Sequence, residues 1–271
     1  MVVAGDKVLF EMNKDGSGVI NEILPRENYL ARKAIKTRGA SYRGERLEQI
    51  IAANLDCIYV ITSAVEPDFN NKTLDRLLVA CESSNIKTSI VINKTDLVKN
   101  ELITHWERLY SKIGYDVYLT SIFHYKSINN LKKLFVGKKN LFWGQSGVGK
   151  SSLFNILYPQ LNLKVGEISN YTSKGTHTTV TSSMLYVENE AYIIDTPGVR
   201  EIDPFGIKKE YLGHYFKEFE SYINKCRFNT CTHHHEPGCA IIKSVEFGQI
   251  SEERYESYLR ILDSVEDDIN F

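Results

Sequence analysis

Residues 144–151 read Gly-Gln-Ser-Gly-Val-Gly-Lys-Ser and fit the phosphate-loop pattern G-x-x-x-x-G-K-[ST]. The glycines let the backbone curl so that N–H groups point inward at phosphate oxygens. Lys150 is expected to reach the β and γ phosphates of a nucleotide, and Ser151 to ligate Mg²⁺. The candidate phosphate-binding residues are Gly144, Gln145, Ser146, Gly147, Val148, Gly149, Lys150, Ser151 and Ser152.

A second motif, Asn-Lys-Thr-Asp at residues 93–96, follows the apolar run 89–92. A carboxylate at a strand end can accept hydrogen bonds from both N1–H and the 2-amino group of guanine. Because adenine lacks that pair of donors, Asp96 is expected to select GTP over ATP. Asn93 would hold the loop, and the aliphatic stem of Lys94 would cover the base.

Three further segments could complete a nucleotide site. Residues 195–198 read Asp-Thr-Pro-Gly after the strand-like run 191–194, so Asp195 would lie near Mg²⁺ and Gly198 would sense the γ-phosphate. A threonine in the polar loop 174–179 could bind Mg²⁺ once a γ-phosphate is present. Ser121 follows the run 117–119 and could place a backbone N–H against O6 of guanine.

The elements that must position these loops alternate between strand and helix from residue 51 onward. Apolar runs and helical periodicity predict strands at 57–62, 88–92, 116–119 and 140–143, and helices at 71–82, 101–113, 128–134 and 151–158. This rhythm predicts an α/β fold with a mostly parallel sheet. The candidate loops follow strands, so they gather at the carboxyl edge of that sheet. The guanine motif precedes the phosphate loop, which is the reverse of the usual order.

Residues 1–50 are predicted to form a small β module. The alternating run 7–12, the turn signal Asp-Gly-Ser-Gly at 15–18 and the run 19–24 predict a hairpin. Between Arg26 and Arg46, seven Lys or Arg residues accompany two acids, a local net charge of +5, with two tyrosines among them. This segment is either a solvated basic loop or an RNA-facing surface, in which cations bind phosphate and tyrosines stack on bases.

The C-terminal part of the chain carries a cluster of metal-ligand residues within 14 positions. Three thiols and one imidazole suit tetrahedral Zn²⁺, with Cys226, Cys231, His233 and Cys239 as the candidate ligands. His234 and His235 are alternatives for the imidazole. Such a site leaves no open position, so we interpret it as a structural zinc that staples the tail 206–271, one ion per chain.

Composition limits the class of protein. The 271 residues are 42% hydrophobic with a net charge of −1, which is enough apolar content for a sizeable core. No apolar run approaches the ~20 residues needed to span a bilayer, and the first residues lack the features of a signal peptide. We therefore expect a cytoplasmic protein without a membrane partner. Cys57 and Cys81 are expected to be buried free thiols.

Together these motifs resemble those of the ribosome small-subunit-dependent GTPase A (RsgA/YjeQ) family, the circularly permuted GTPases, over nearly the whole chain. The resemblance implies an OB-like β module (1–50, apparently shortened), a permuted phosphate-loop GTPase domain (51–205) and a mostly helical zinc-binding domain (206–271). It further implies GTP hydrolysis stimulated by the small ribosomal subunit and its rRNA during late maturation, by a protein expected to be a monomer. It assigns Thr179 as the switch threonine, His177 as a candidate catalytic residue, and His233 as the zinc-binding imidazole.

Two other classes of protein are compatible with parts of this pattern. One is a zinc-containing RNA-binding protein that uses GTP only as a conformational switch. The other is a phosphate-loop kinase, which the guanine-selective Asp96 and the Asp-Thr-Pro-Gly segment argue against.

Overall fold

The computed structural model describes residues 1–33, 48–161, 182–195 and 206–265. The strands are β1 (Val8–Met12), β2 (Gly18–Ile23), β3 (Tyr29–Lys33), β4 (Glu48–Ala53), β5 (Cys57–Ser63), β6 (Thr88–Asn93), β7 (Asp116–Leu119), β8 (Lys139–Trp143), β9 (Ser183–Tyr186) and β10 (Tyr192–Asp195). The α-helices are α1 (Asn71–Ser83), α2 (Asn100–Ile113), α3 (Tyr125–Lys133), α4 (Lys150–Leu157), α5 (Glu220–Ile223), α6 (Ala240–Glu246) and α7 (Glu252–Ser264). In the ranges described, no helix combines the length and the apolarity that crossing a bilayer requires.

A six-stranded sheet forms the centre of the molecule, in the spatial order β7-β6-β5-β8-β10-β9. β5 pairs in parallel with both β6 and β8, and β10 pairs in parallel with β8. Only β9 runs antiparallel to its neighbour in this sheet. The predicted parallel α/β sheet is therefore confirmed, and β8, which comes late in the chain, lies next to the earlier β5.

Helices cover both faces of the sheet, as the near-continuous apolar strands require. Along β5, Cys57, Tyr59 and Ile61 pack into the core beneath α3 and α4. The alternate residues Ile58 and Val60 pack into the core beneath α1 and α2. The two-residue period of the strand thus builds two cores from one sequence.

The N-terminal module consists of two hairpins in the described residues. β1 pairs with β2 and β3 pairs with β4, both antiparallel, and a parallel bridge joins Ala4 to Ala52. The first hairpin turns at the predicted position, where Asn13 N donates to Ser17 O over 2.8 Å. β4 runs through residue 50, where we expected the module to end, so the second hairpin continues directly toward the central sheet.

The basic segment 26–46 is only partly described, because residues 34–46 lie outside the described residues. Of its cations, Arg26 pairs with Asp6 at 2.7 Å. Arg32 is 3% exposed and donates to the Gln49 side chain over 3.2 Å. These two cations therefore form contacts within the module.

The aromatic segment 211–226 predicts a helix at the start of the C-terminal module, but the structure differs. The structure has 3₁₀ turns at Lys209–Tyr215 and Lys217–Phe219, followed by the four-residue α5. Between the turns, Phe216 takes an extended backbone (φ −107°, ψ 102°) and is fully buried. Burying that ring against α7 outweighs the helical periodicity of the segment.

Helix α7 of this module docks on α1 through a buried ionic cluster. Arg254 on α7 pairs with Asp75 on α1 and, at 2.6 Å, with Glu218. Tyr110 on α2 donates its hydroxyl to Asp75 over 2.6 Å. Because an unpaired buried charge is costly, this cluster fixes the orientation of the module on the central α/β domain.

Candidate nucleotide site and metal centre

The predicted phosphate loop joins β8 to α4 and lies tightly against its neighbours. A Cβ on Gly144 would lie 2.1 Å from the carbonyl oxygen of Ile61, so only glycine fits there. Gly149 has φ +92°, and a Cβ would lie 2.5 Å from Nδ2 of Asn93. Helix α4 begins at Lys150, so the N–H groups of its first turn face the loop, as anion binding requires.

Lys150 reaches back across the loop that precedes it. Its Nζ donates to the carbonyl oxygens of Gly144 and Gln145, at 2.6 and 2.9 Å. The ammonium group therefore lies over the phosphate loop. Phosphate oxygens of a nucleotide could replace the two carbonyls as its hydrogen-bond acceptors. Gln145 itself lies on the outer side, with its Nε2 3.5 Å from the Thr73 hydroxyl at the start of α1.

Asn93 connects three loops at the carboxyl edge of the sheet. It ends β6 and is almost fully buried. Its Nδ2 donates to the carbonyl of Val148 in the phosphate loop over 3.0 Å, and its Oδ1 accepts from the Thr120 hydroxyl over 3.1 Å. One side chain thus holds the guanine motif, the phosphate loop and the Thr120–Ser121 loop in fixed positions relative to one another.

The rest of the guanine motif is anchored through Thr95 and leaves the Asp96 carboxylate exposed. Thr95 donates its backbone N–H and its hydroxyl to the Thr120 carbonyl, at 3.2 and 3.1 Å. The Asp96 carboxylate lies exposed on the short 3₁₀ turn Thr95–Leu97, where a base can approach it. Ser121 is buried and its hydroxyl accepts from the N–H of Phe123 over 3.1 Å.

A segment that the sequence analysis did not single out also borders the site. The ammonium group of Lys94 donates to the carbonyl oxygen of Glu66, which follows β5. Pro67 lies beside the phosphate loop, with its Cδ 3.5 Å from where a Gly147 Cβ would be. The only sequence signal for this segment is that it follows a strand whose carboxyl end lies at the same sheet edge.

Of the remaining candidate nucleotide-binding residues, the structure describes only the backbone of Asp195. The backbone of Asp195 ends β10, in register with Phe142 of β8, which brings it to the same sheet edge as the phosphate loop. His177, Thr179 and Gly198 lie outside the described residues, as does the loop 174–179.

The four predicted metal ligands come together in the C-terminal module. The donor atoms of Cys226, Cys231, His233 and Cys239 all lie within 4.8 Å of one another. Nδ1 of His233 is 3.5 Å from the sulfurs of both Cys226 and Cys239, which are 3.9 Å apart. Tetrahedral Zn–S bonds of ~2.3 Å place sulfurs about 3.8 Å apart, whereas a disulfide needs about 2.05 Å. The donor set therefore fits a closed zinc site.

The residues around the cluster orient the candidate ligands. His233 has φ +55°, and its carbonyl oxygen accepts from the Tyr255 hydroxyl of α7 over 2.7 Å. Burial lowers the pKa of the His233 imidazole, which favours the neutral form that binds metal. Of the three histidines in the run, only His233 contributes to the cluster within the described chain.

Glu236 ties the ligand loop together. Its carboxylate accepts from the backbone N–H and the hydroxyl of Thr232, both at 2.6 Å, and from the N–H of His234 at 3.0 Å. Burial alone would raise the pKa of Glu236, but these hydrogen bonds lower it to about 2. The carboxylate therefore stays ionised and fixes the turn that carries His233.

The family model and the known proteins that match this chain all belong to one family. A family described as RsgA GTPase matches residues 23–205. The small ribosomal subunit biogenesis GTPase RsgA 2 of Bacteroides thetaiotaomicron is 38% identical, over 98% of this chain and 84% of its own. The corresponding protein of Chlorobaculum parvum is 39% identical, over 98% of this chain and 86% of its own.

Solved structures agree in fold. YjeQ from Thermotoga maritima superposes with a TM-score of 0.76 at 32% identity, over 97% of this chain and 84% of its own. YloQ, described as a circularly permuted GTPase, superposes with a TM-score of 0.74 at 29% identity, over 100% of this chain and 83% of its own.

Proposed function

The chain belongs to the RsgA GTPase family, and we propose that it hydrolyses GTP on the small ribosomal subunit during late maturation of that subunit. The observation that carries the proposal is the position of Asn93, whose Nδ2 lies 3.0 Å from the Val148 carbonyl. This contact joins the guanine motif to the phosphate loop although their order in the chain is reversed. The small ribosomal subunit enters the proposal because the names of the relatives refer to its biogenesis.

The proposed division of labour follows from the chemistry of phosphoryl transfer, in which positioning and charge stabilisation dominate. Lys150 binds the β and γ phosphates, and the backbone amides of the phosphate loop and α4 bind their oxygens. Ser151, Thr179 and Asp195 would hold Mg²⁺, which neutralises charge on the phosphates when it is bound. Gly198 would contact the γ-phosphate.

We assign the orientation of the attacking water to His177. The residue after Gly198 is Val199, and an aliphatic side chain cannot hydrogen-bond a water. His177 belongs to the polar loop 174–179, and an imidazole can accept the proton of a water and donate to it. The small subunit would hold that loop in its reactive conformation.

The N-terminal and C-terminal modules would bind rRNA. We propose a β module at the N-terminus and a zinc module from residue 206 that contact rRNA on either side of the GTPase domain. We further propose one structural Zn²⁺ per chain, a monomeric protein and a cytoplasmic location. Gel filtration with light scattering tests the monomer, and a dimeric mass would contradict it.

Small subunits are expected to raise GTP turnover about 10²-fold, because positioning a water by a general base contributes effects of that size. The measurement is phosphate release at saturating GTP, with and without purified small subunits. His177→Ala should lose most of this stimulation and keep its affinity for GTP. His214→Ala, at an exposed histidine of the zinc module, is the matched control.

Three results of that experiment decide between the alternatives. Equal turnover with and without subunits would favour the RNA-binding protein that uses GTP only as a switch. Equal stimulation of wild type and His177→Ala would remove His177 from the mechanism. Stimulation of the wild type that His177→Ala loses supports the enzyme.

Asp96→Asn is expected to weaken GTP binding about 10²-fold, because a charge-assisted pair of hydrogen bonds to the base is lost. The same variant should gain affinity for xanthosine triphosphate, whose base presents an oxygen where guanine has an amino group. Fluorescent-nucleotide competition measures both affinities. Glu101→Gln, at an exposed carboxylate in the first turn of α2, should bind GTP like the wild type. Unchanged GTP affinity in Asp96→Asn would place Asp96 outside the site.

A further inference from the structure

The segment from Val117 to Gly166 has an unusual charge pattern. It contains no Asp or Glu and seven lysines in 50 residues. The whole chain has 34 acids in 271 residues, so about six would be expected in a segment of this length. Only one of these lysines, Lys150, belongs to the phosphate loop. The others are not explained by the nucleotide site.

Several of these lysines lie on or beside α3, which begins one helical turn earlier than the sequence predicted. Ile128 and Leu131 are the buried residues of this helix. The opposite face is exposed and consists of Tyr125, Lys126, Asn129, Asn130 and Lys133. These positions are spaced by three or four residues, so they share one face over two turns. We call them, together with Phe123 just before the helix, the α3 surface.

Among the described residues, the acids near the α3 surface pair with other cations. α3 packs against α4, which carries no acid, and against β7, whose Asp116 pairs with Lys87 at 3.3 Å. The turn between β9 and β10 brings Glu188 close, but Glu188 pairs with Lys132 at 2.6 Å. In the part of the chain that the structure covers, Lys126 and Lys133 have no carboxylate within ion-pair distance.

The two aromatic side chains of this surface are strongly exposed. Phe123 is 69% and Tyr125 is 71% exposed, in a chain where most aromatic side chains pack into the cores. Surfaces that bind single-stranded RNA combine exposed rings with lysines and amides. The cations bind phosphates, the amides bind base edges and sugars, and the rings stack on bases. Protein interfaces are, by contrast, depleted in lysine.

We propose that the α3 surface is an RNA-docking site on the GTPase domain, separate from the N-terminal and zinc modules. The inference rests on the proposed function in that the RNA belongs to the small ribosomal subunit. The surface is continuous with the nucleotide site, because the N–H groups of Phe123 and His124 donate to the hydroxyl and carbonyl of Ser121, at 3.1 and 3.0 Å. RNA bound there contacts the same loop that faces guanine.

The test is binding of the full chain to a fluorescein-labelled, 20-nucleotide single-stranded RNA, measured by anisotropy at several salt concentrations. Lys126→Ala/Lys133→Ala removes two phosphate contacts, so the slope of log K against log salt should fall by about 1.4. Affinity at low salt should fall about tenfold. Tyr125→Ala should weaken binding about tenfold with little change of slope, because stacking is uncharged.

The matched control is Arg108→Ala/Lys112→Ala, which removes two exposed cations from α2, a helix that also carries acids. This control should keep the wild-type slope, and all variants should keep their affinity for GTP. The proposal is overturned if the α3 double variant binds RNA like the control. It is equally overturned if that variant loses small subunits but keeps the RNA oligonucleotide, since the surface would then bind a ribosomal protein.

The outcome is independent of the test of the proposed function. If small subunits do not stimulate hydrolysis by the wild type, the proposed function fails, while the oligonucleotide comparison still decides the α3 surface. If stimulation is normal and the α3 double variant binds RNA like the wild type, only the α3 inference fails.

Discussion

Lys150→Ala is expected to lower GTP turnover about 10³-fold, the largest effect of any single substitution in this site. The Lys150 ammonium lies over the phosphate loop, 2.6 Å from the Gly144 carbonyl oxygen and 2.9 Å from that of Gln145. In the Lys150→Ala variant, the loop keeps its backbone amides but loses the cation that stabilises charge on the transferred phosphate. Steady-state phosphate release at saturating GTP and saturating small subunits measures the loss.

Lys138→Ala is the control for this experiment. Lys138 is exposed and precedes β8, at the opposite end of the strand from the phosphate loop, so its loss should leave turnover unchanged. The melting temperatures of both variants show whether the protein stays folded when the two loop carbonyls lose their hydrogen bonds to Lys150. Wild-type turnover by folded Lys150→Ala would show that the phosphate loop is not part of the catalytic site.

Removal of zinc is expected to unfold the C-terminal module. Structural zinc sites have apparent binding free energies of ~10–16 kcal/mol, which is as large as the entire stability of a typical domain, ~5–15 kcal/mol. Tyr255 of α7 bonds to the carbonyl of the ligand His233 over 2.7 Å, so the position of α7 depends on the metal loop. We expect one zinc per chain by elemental analysis, and loss of helical signal on chelation.

The loss of the module should also lower the stability of the GTPase domain. When α7 leaves, α1 loses its packing against that helix, and Asp75 on α1 loses its ion pair with Arg254. The nucleotide loops lie on the central sheet and contain no zinc ligand, so GTP binding should persist at low temperature. Thermal unfolding followed with and without chelator, together with GTP titration, separates the two effects.

Two cysteine variants provide the comparison for the zinc experiment. Cys239→Ser should lose zinc and lower the melting temperature of the module. Cys81→Ala, at a buried thiol of α1, should lower stability modestly through the lost packing and keep a full complement of zinc. Zinc-free protein with an intact, stable C-terminal module would contradict a structural zinc.

The strands and the loops that follow them could be predicted from the sequence because their signals are local. An apolar run such as 89–92 is recognisable within itself, and the motif at 93–96 follows it directly. The helices around the central sheet were predictable to within about one turn, since the end of a helix depends on capping and on contacts outside its own sequence. That difference matters for α3, where the extra turn brings Tyr125 and Lys126 onto the helix.

Contacts between distant parts of the chain could not be predicted in this way. The sequence indicated that Asn93 would hold its own loop, but not that its amide would reach Val148, 55 positions later. The pairing of Arg254 with Asp75, 179 positions away, leaves no signal in the sequence near either residue. The basic residue Arg32 looked exposed and is buried in the N-terminal module.

The sequence by itself determined the chemistry of this protein: a phosphate loop, a guanine-selective carboxylate and a set of three thiols and an imidazole, each encoded within a few adjacent positions. The tertiary structure alone decided how these parts are assembled. The strand order β5-β8-β10 brings loops from a permuted chain to one sheet edge, and the Arg254 cluster orients the zinc module on α1. The physical reason is that residue types set what a side chain can bind, whereas packing of distant elements sets which side chains meet.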